Sequence, residues 1–220
     1  VRFDGSGIVS DLQRYFQEKW DAVSATEALY YKHDLTPESI VFDIGGYKGE
    51  WSEVIARTYD PHIFIFEPVG EFALDLMRKL SGNKKIRVLE YGLGPRTELT
   101  RLYRNGSASS LYRTSPAIEK VHIRDIPTAV CEVLNIESVG YARVDLVCIN
   151  IEGAEYDLLQ AIFDSGLAHR FREIMIQFHP LFPDSYDRWK QIRNQLLETH
   201  EEVWGFPFCW ELWKARNWPG

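Results

Sequence analysis

Asp43, Gly45, Gly46 and Gly49 fall together in the stretch VFDIGGYKGEW at 41–51. An apolar run ends in an acid and then turns through glycines. Such a turn lets the backbone pass close to a ligand, and the helix that follows offers unpaired N–H groups. A carboxylate ahead of the turn repels a pyrophosphate and attracts an ammonium group. The spacing is not the GxGxxG of dinucleotide sites, which disfavours a nicotinamide-dependent oxidoreductase, and the GKS or GKT ending of a P-loop is missing. A second acid, Glu67 followed by Pro68, closes the apolar run IFIFEP at 63–68. At the tip of a neighbouring strand it is placed to accept hydrogen bonds from two ribose hydroxyls. Together the two acids describe a site for a nucleoside that carries positive charge. S-adenosylmethionine fits, with its sulfonium, its ammonium and its free ribose.

A third group lies in VDLVCINIEGAEYDLLQ at 144–160, where Asn150 and Glu152 stand near the end of an apolar run. Strand alternation through this run would turn Asn150 and Glu152 to one side, toward the reacting group. Glu155 has a local reason of its own, because acids favour the first turn of a helix. The next apolar run, IMIQFHP at 174–180, ends in His179. A histidine at a strand tip beside a carboxylate suits a general base. Glu152 and His179, two ligands without a clear third, make a metal site the weaker reading. Gly92 and Leu93 are expected at the adenine wall. Small polar residues of the loop NGSASSL at 105–111 could hydrogen-bond cofactor or substrate, although an ordinary polar hairpin tip is the readier account of them.

These residues need a scaffold that brings several strand tips to one edge. Short apolar runs at 39–44, 62–66 and 86–91 alternate with amphipathic helices at 49–57 and 69–80, the pattern of βαβ units in a parallel sheet. Strands are further expected at 99–103, 121–126, 144–151 and 174–178, and helices at 127–134, 154–163 and 186–199. The aromatic tail at 202–213 reads as two strands around a turn near Pro207, packing as core or sheet edge, with some rings available to an acceptor pocket. The first 36 residues carry helical periodicity, through Leu12, Tyr15, Phe16, Lys19 and Trp20. The expected organisation is one domain, 1–220, with a helical extension over 1–36 and a catalytic core over 37–220.

A net charge of −7 argues against nucleic acid or an anionic membrane as the main partner. The three cysteines sit far apart, as in a cytoplasmic protein with reduced thiols. No apolar run approaches the ~20 residues of a membrane span. A start at Val1 fits a domain cut from a longer chain, or a processed one.

From Ile40 to His179, the order DIGGYKG, FEP and INIEGAEYDLL resembles the FkbM-type family of S-adenosylmethionine-dependent methyltransferases. Its familiar form is D-x-G-A-N-x-G, then F-E-P, then K-x-D-x-E-G-A-E. The resemblance implies a Rossmann-like class I α/β fold with a seven-stranded, mostly parallel sheet flanked by helices. It also implies O-methylation of a sugar, glycan or natural-product hydroxyl. On this reading Asp43, Gly45, Gly46, Tyr47, Gly49, Glu67, Pro68, Gly92, Leu93, Ser109 and Ser110 hold the cofactor, and Asn150, Glu152 and His179 do the chemistry. Gly46 and Tyr47 stand where the family has Ala and Asn, Cys148 replaces Lys, and Asn150 replaces Asp. Losing both charges together leaves no orphan charge, but it removes a carboxylate from position 150. The alternative is a methyltransferase-like binding module that has lost its activity, among other domains of a larger carbohydrate-modifying protein.

Overall fold

The computed structural model describes residues 6–24, 29–103, 109–112 and 118–218. In chain order its strands are β1 (Ile40–Ile44), β2 (His62–Phe66), β3 (Ile86–Leu89), β4 (Gly92–Gly94), β5 (Glu98–Tyr103), β6 (Ile118–Asp125), β7 (Val144–Ile149), β8 (Phe171–Ile176), β9 (His200–Phe206) and β10 (Trp210–Ala215). The helices are α1 (Ser6–Ser24), α2 (Glu50–Tyr59), α3 (Gly70–Lys79), α4 (Ile126–Leu134), α5 (Glu155–Asp164) and α6 (Ser185–Thr199). Seven strands form one sheet in the order β3-β2-β1-β7-β8-β10-β9. Neighbours run parallel from β3 to β8, and β10 runs against both β8 and β9. A small second sheet, β4-β6-β5, stands beside it.

The central strands read as unbroken apolar runs because both sheet faces are covered. Alternate residues feed two separate cores. Phe42, Ile44, Val147, Ile149, Ile174 and Ile176 meet α4, α5 and α6. Val41, Ile63, Ile65, Leu146, Cys148 and Met175 pack with Trp51 and Ile55 of α2, Leu76 of α3 and Trp20 of α1. The charge pattern of α2, with Glu50 and Glu53 in its first turn and Arg57 in its last, suits the helix dipole.

Two expectations about elements need correction. Among the described residues, the helix expected over the first 36 is present at Ser6–Ser24 and absent from residue 29 onward. From Leu29 to Pro37 the chain is turn and irregular backbone, because it is fastened side-on to the sheet instead. Tyr59 on α2 donates its hydroxyl to the Tyr31 carbonyl (2.9 Å) and accepts from the His33 N–H (3.0 Å), and the His33 ring pairs with the buried Glu173 (2.9 Å). The strand expected to reach Ile151 stops at Ile149. Asn150 still donates its N–H to the Ile44 carbonyl (3.0 Å), but Glu152 is left-handed, with φ 50°. Strand alternation therefore does not carry through to Glu152.

Candidate active site

The carboxyl ends of β1, β2, β7 and β8 lie along one edge of the sheet, where open α/β sheets bind ligands. The β1–α2 turn crosses this edge. Gly45, with φ 93°, passes so close to β7 that a Cβ would lie 2.1 Å from the Asn150 carbonyl oxygen. At Gly46 a Cβ would lie 2.1 Å from Ile65 on β2. No side chain fits at either position, so the turn hugs its neighbours and leaves space above it.

That space divides into two chambers that share Gly45, Tyr47 and Asn150. The first holds about 660 Å³ of empty space, part of it open to solvent. Its walls are mostly apolar (Phe66, Pro68, Val69, Phe72, Leu93 and Ile123 among them), with Glu67 buried among them and Glu152 a second acid in the lining. Gly92 lies beside Pro68, where a Cβ would come within 2.8 Å of the tip of the Ile123 side chain. Ser109, Ser110, Leu102 and Leu111 close this chamber from the small sheet. The second holds about 520 Å³ and is lined by Asp43, Gly46, Lys48, Gly49, Glu50 and Cys148, with Tyr30, Tyr31 and Trp51 on its outer side.

Each chamber carries one buried acid. Glu67 accepts the N–H of Tyr47 on one carboxyl oxygen and that of Val69 on the other, both at 2.8 Å. Burial pushes its pKa up to about 7, against the lowering effect of those two bonds. Asp43 accepts the Ser52 hydroxyl at 2.6 Å, yet burial lifts it to about 6. Tyr47 takes a left-handed backbone (φ 46°) to bring its N–H to Glu67. Asparagine tolerates that conformation better than tyrosine does.

The turn after β7 is pinned from several sides. Ser110 donates its hydroxyl to the Glu152 carbonyl (2.5 Å). Glu155, fully buried, accepts the Gly153 N–H (2.8 Å) on one oxygen and the His179 N–H (2.7 Å) on the other. It therefore ties the tips of β7 and β8 together, a role its place in a helix's first turn does not announce. The His179 ring lies between two carboxylates, 3.1 Å from Glu152 and 3.4 Å from Glu155. Burial alone would lower its pKa, but the hydrogen bonds and charges of Glu152 and Glu155 prevail and raise it to about 9. His179 is thus an imidazolium at neutral pH. It faces neither chamber and stands behind Glu152, which lines the first.

The sequence-based site is therefore gathered at one edge. Asp43, Gly46 and Gly49 fall in the second chamber, and Glu67, Pro68, Gly92, Leu93, Ser109, Ser110 and Glu152 in the first, with Gly45, Tyr47 and Asn150 between them. Residues 105–108 of the serine-bearing loop lie outside the described residues. Sequence reasoning missed Glu155 as the tie between strands, and Tyr30, Tyr31 and Trp51 as a wall. The Asn150 side-chain oxygen is buried without a hydrogen-bond partner at the junction of the chambers. A glycine cradle, an acid in each chamber and an unmet acceptor between them suit a nucleoside with a cationic, zwitterionic tail. No cluster of His, Cys, Asp and Glu suited to a metal ion occurs among the described residues.

A seven-stranded sheet in this order, with one reversed strand and a cleft at its carboxyl edge, is the class I methyltransferase fold. The chain belongs to the FkbM methyltransferase family, since the model of the methyltransferase FkbM domain matches residues 43–206. The structure resembles that of methyltransferase FkbM from Methylobacillus flagellatus KT, with a TM-score of 0.54 and 14% identity, over 82% of this chain and 44% of that one. The chain thus spans less than half the length of that relative. It also resembles a candidate rRNA methylase from Clostridium thermocellum, with a TM-score of 0.54 and 8% identity, over 89% and 96% of the two chains. No curated protein matches the chain significantly in sequence.

Proposed function

We propose that this chain is an S-adenosylmethionine-dependent O-methyltransferase acting on a hydroxyl of a sugar, glycan or natural-product small molecule. The observation that carries this reading is the pair of chambers, each with one buried acid, meeting at Asn150 beside the Glu152–His179 pair. Glu67 would take the ribose hydroxyls, the apolar walls around Leu93 and Phe72 the adenine, and Asp43 the ammonium. When bound, the cofactor would supply an electrophilic methyl group to an oxygen held beside it.

The chain's own residues then have two tasks, orienting the acceptor hydroxyl and taking its proton. A raised pKa makes His179 a poor base at neutral pH, so the proton goes to the Glu152 carboxylate. His179, as imidazolium, holds that carboxylate in place beside the acceptor. Asn150, neutral where the family carries Asp, would orient the acceptor without competing for the proton. A small neutral acceptor also suits an acidic chain better than nucleic acid does. Three free cysteines suit a cytoplasmic setting, and among the described residues no helix is long and apolar enough to cross a membrane.

Calorimetry with S-adenosylmethionine, S-adenosylhomocysteine and NAD is the first test. Binding of the sulfur nucleosides and not of NAD is expected, and no binding of either sulfur nucleoside would sink the proposal. Labelled-methyl transfer to a panel of hydroxylated acceptors follows. There Glu152→Gln should lower turnover by ~10²–10⁴-fold with cofactor affinity retained. Binding without turnover on any acceptor would favour the alternative, a methyltransferase-like binding module, which Cys148 and Asn150 motivate.

A further inference from the structure

Two of the three aromatic residues on the outer side of the second chamber, Tyr30 and Tyr31, precede the family-matched segment, which begins at residue 43. Tyr30 and Tyr31 are held there firmly. The indole N–H of Trp51 reaches the Tyr30 carbonyl (3.4 Å), and Tyr59 holds the Tyr31 carbonyl. The Tyr30 ring packs edge-on against Trp20, Tyr31 and Trp210, with centroids 4.9–5.8 Å apart. Its rim is thus fixed by packing, while its hydroxyl has no hydrogen-bond partner among the described residues. Burial first, and then the neighbouring Cys148 and Asp43, raise its pKa well above the usual phenol range, so the hydroxyl stays a donor. The rest of the chamber is polar. Asp43 is a buried acceptor in it, and the exposed Lys48 and Glu50 add a cation and an acid to its lining.

A chamber with a buried carboxylate, and a phenol donor and a cation available elsewhere, complements a zwitterion. We propose that Tyr30, from the lead-in segment, is a binding residue of this site and donates its hydroxyl to the α-carboxylate of the ligand's amino-acid end, while Asp43 takes the α-ammonium. Lys48 adds charge attraction for the carboxylate. The inference rests on the methyltransferase reading given above and deepens it. It makes the lead-in part of the binding site, and an amino-acid tail the feature by which the second chamber selects its ligand.

Tyr30→Phe removes one oxygen and keeps the ring packed, so the fold survives, and the melting temperature checks that it does. Calorimetry compares S-adenosylhomocysteine, which carries the amino-acid end, with 5′-methylthioadenosine, which lacks it. Wild-type protein should bind the first more tightly than the second. Tyr30→Phe should weaken the first about tenfold or more, as expected for a lost hydrogen bond to a charged group, and leave the second unchanged. Equal affinity of wild type and Tyr30→Phe for S-adenosylhomocysteine would overturn the role of Tyr30 and leave the methyltransferase reading standing. Equal affinity of the wild type for the two ligands would overturn the zwitterion chamber. Wild type that binds neither nucleoside would overturn the methyltransferase reading, and this inference with it.

Discussion

Asp43 and Glu67 are acids that burial holds close to neutrality, at about 6 and about 7. Both gain from ionising once an ammonium or a pair of hydroxyl donors comes against them, so binding should pull their pKa values down and release protons. Affinity for S-adenosylhomocysteine is expected to rise as the pH goes from 5 to 8. Near pH 6.5 the binding heat should depend on the buffer's ionisation enthalpy, and heats independent of buffer would contradict this. His179 shows the opposite balance of the same forces, with two carboxylates overcoming its burial. Sequence reasoning placed His179 next to Glu152 correctly. It could not see that Glu155 would approach from the other side and keep the ring charged.

The β1–α2 turn is where local sequence and close packing constrain each other most tightly. Gly45 needs both a positive φ and the absence of a Cβ. Gly45→Ala should therefore destabilise the protein by roughly 2 kcal/mol or more, through strain and a clash with backbone. It should also abolish measurable nucleoside binding. Urea unfolding checks the first outcome and calorimetry the second. A variant of wild-type stability would mean that the turn does not approach β7 as described. Gly46, where the family has alanine, is explained by Ile65 reaching across from β2 into the space a methyl would need. Tyr47, where the family has asparagine, keeps the backbone conformation and the N–H bond to Glu67.

Across the molecule, the lead-in and the carboxy-terminal hairpin meet in one aromatic cluster. Trp20 of α1 stacks on Trp204 (5.6 Å between centroids) and meets Tyr30 and Phe206 edge-on. Trp20→Ala should cost about 3–5 kcal/mol, as a large aromatic removed from a packed site does. Because Tyr30 leans on the same ring, the variant should also weaken S-adenosylhomocysteine more than 5′-methylthioadenosine. Denaturant unfolding and calorimetry on one preparation would show whether the two losses go together. Stability with pH has a whole-molecule signature too. The folded-state pKa of His179 lies above its unfolded value of ~6.5, so its contribution is complete below that pH and is lost as the pH rises through about 9.

The chain's periodicity was enough to place most strands and helices, because a sheet covered on both faces writes itself as apolar runs and its crossover helices as amphipathic ones. The acids and glycines at the run ends marked the cleft, since the carboxyl edge of a parallel sheet is fixed by chain direction. The rest depended on contacts between distant residues. The β4-β6-β5 sheet, the left-handed turn at Glu152, the tie made by Glu155 and the wall built by Tyr30 join segments far apart in the chain. No local pattern encodes those meetings, because burial and charge at each of them are set by what the fold brings alongside.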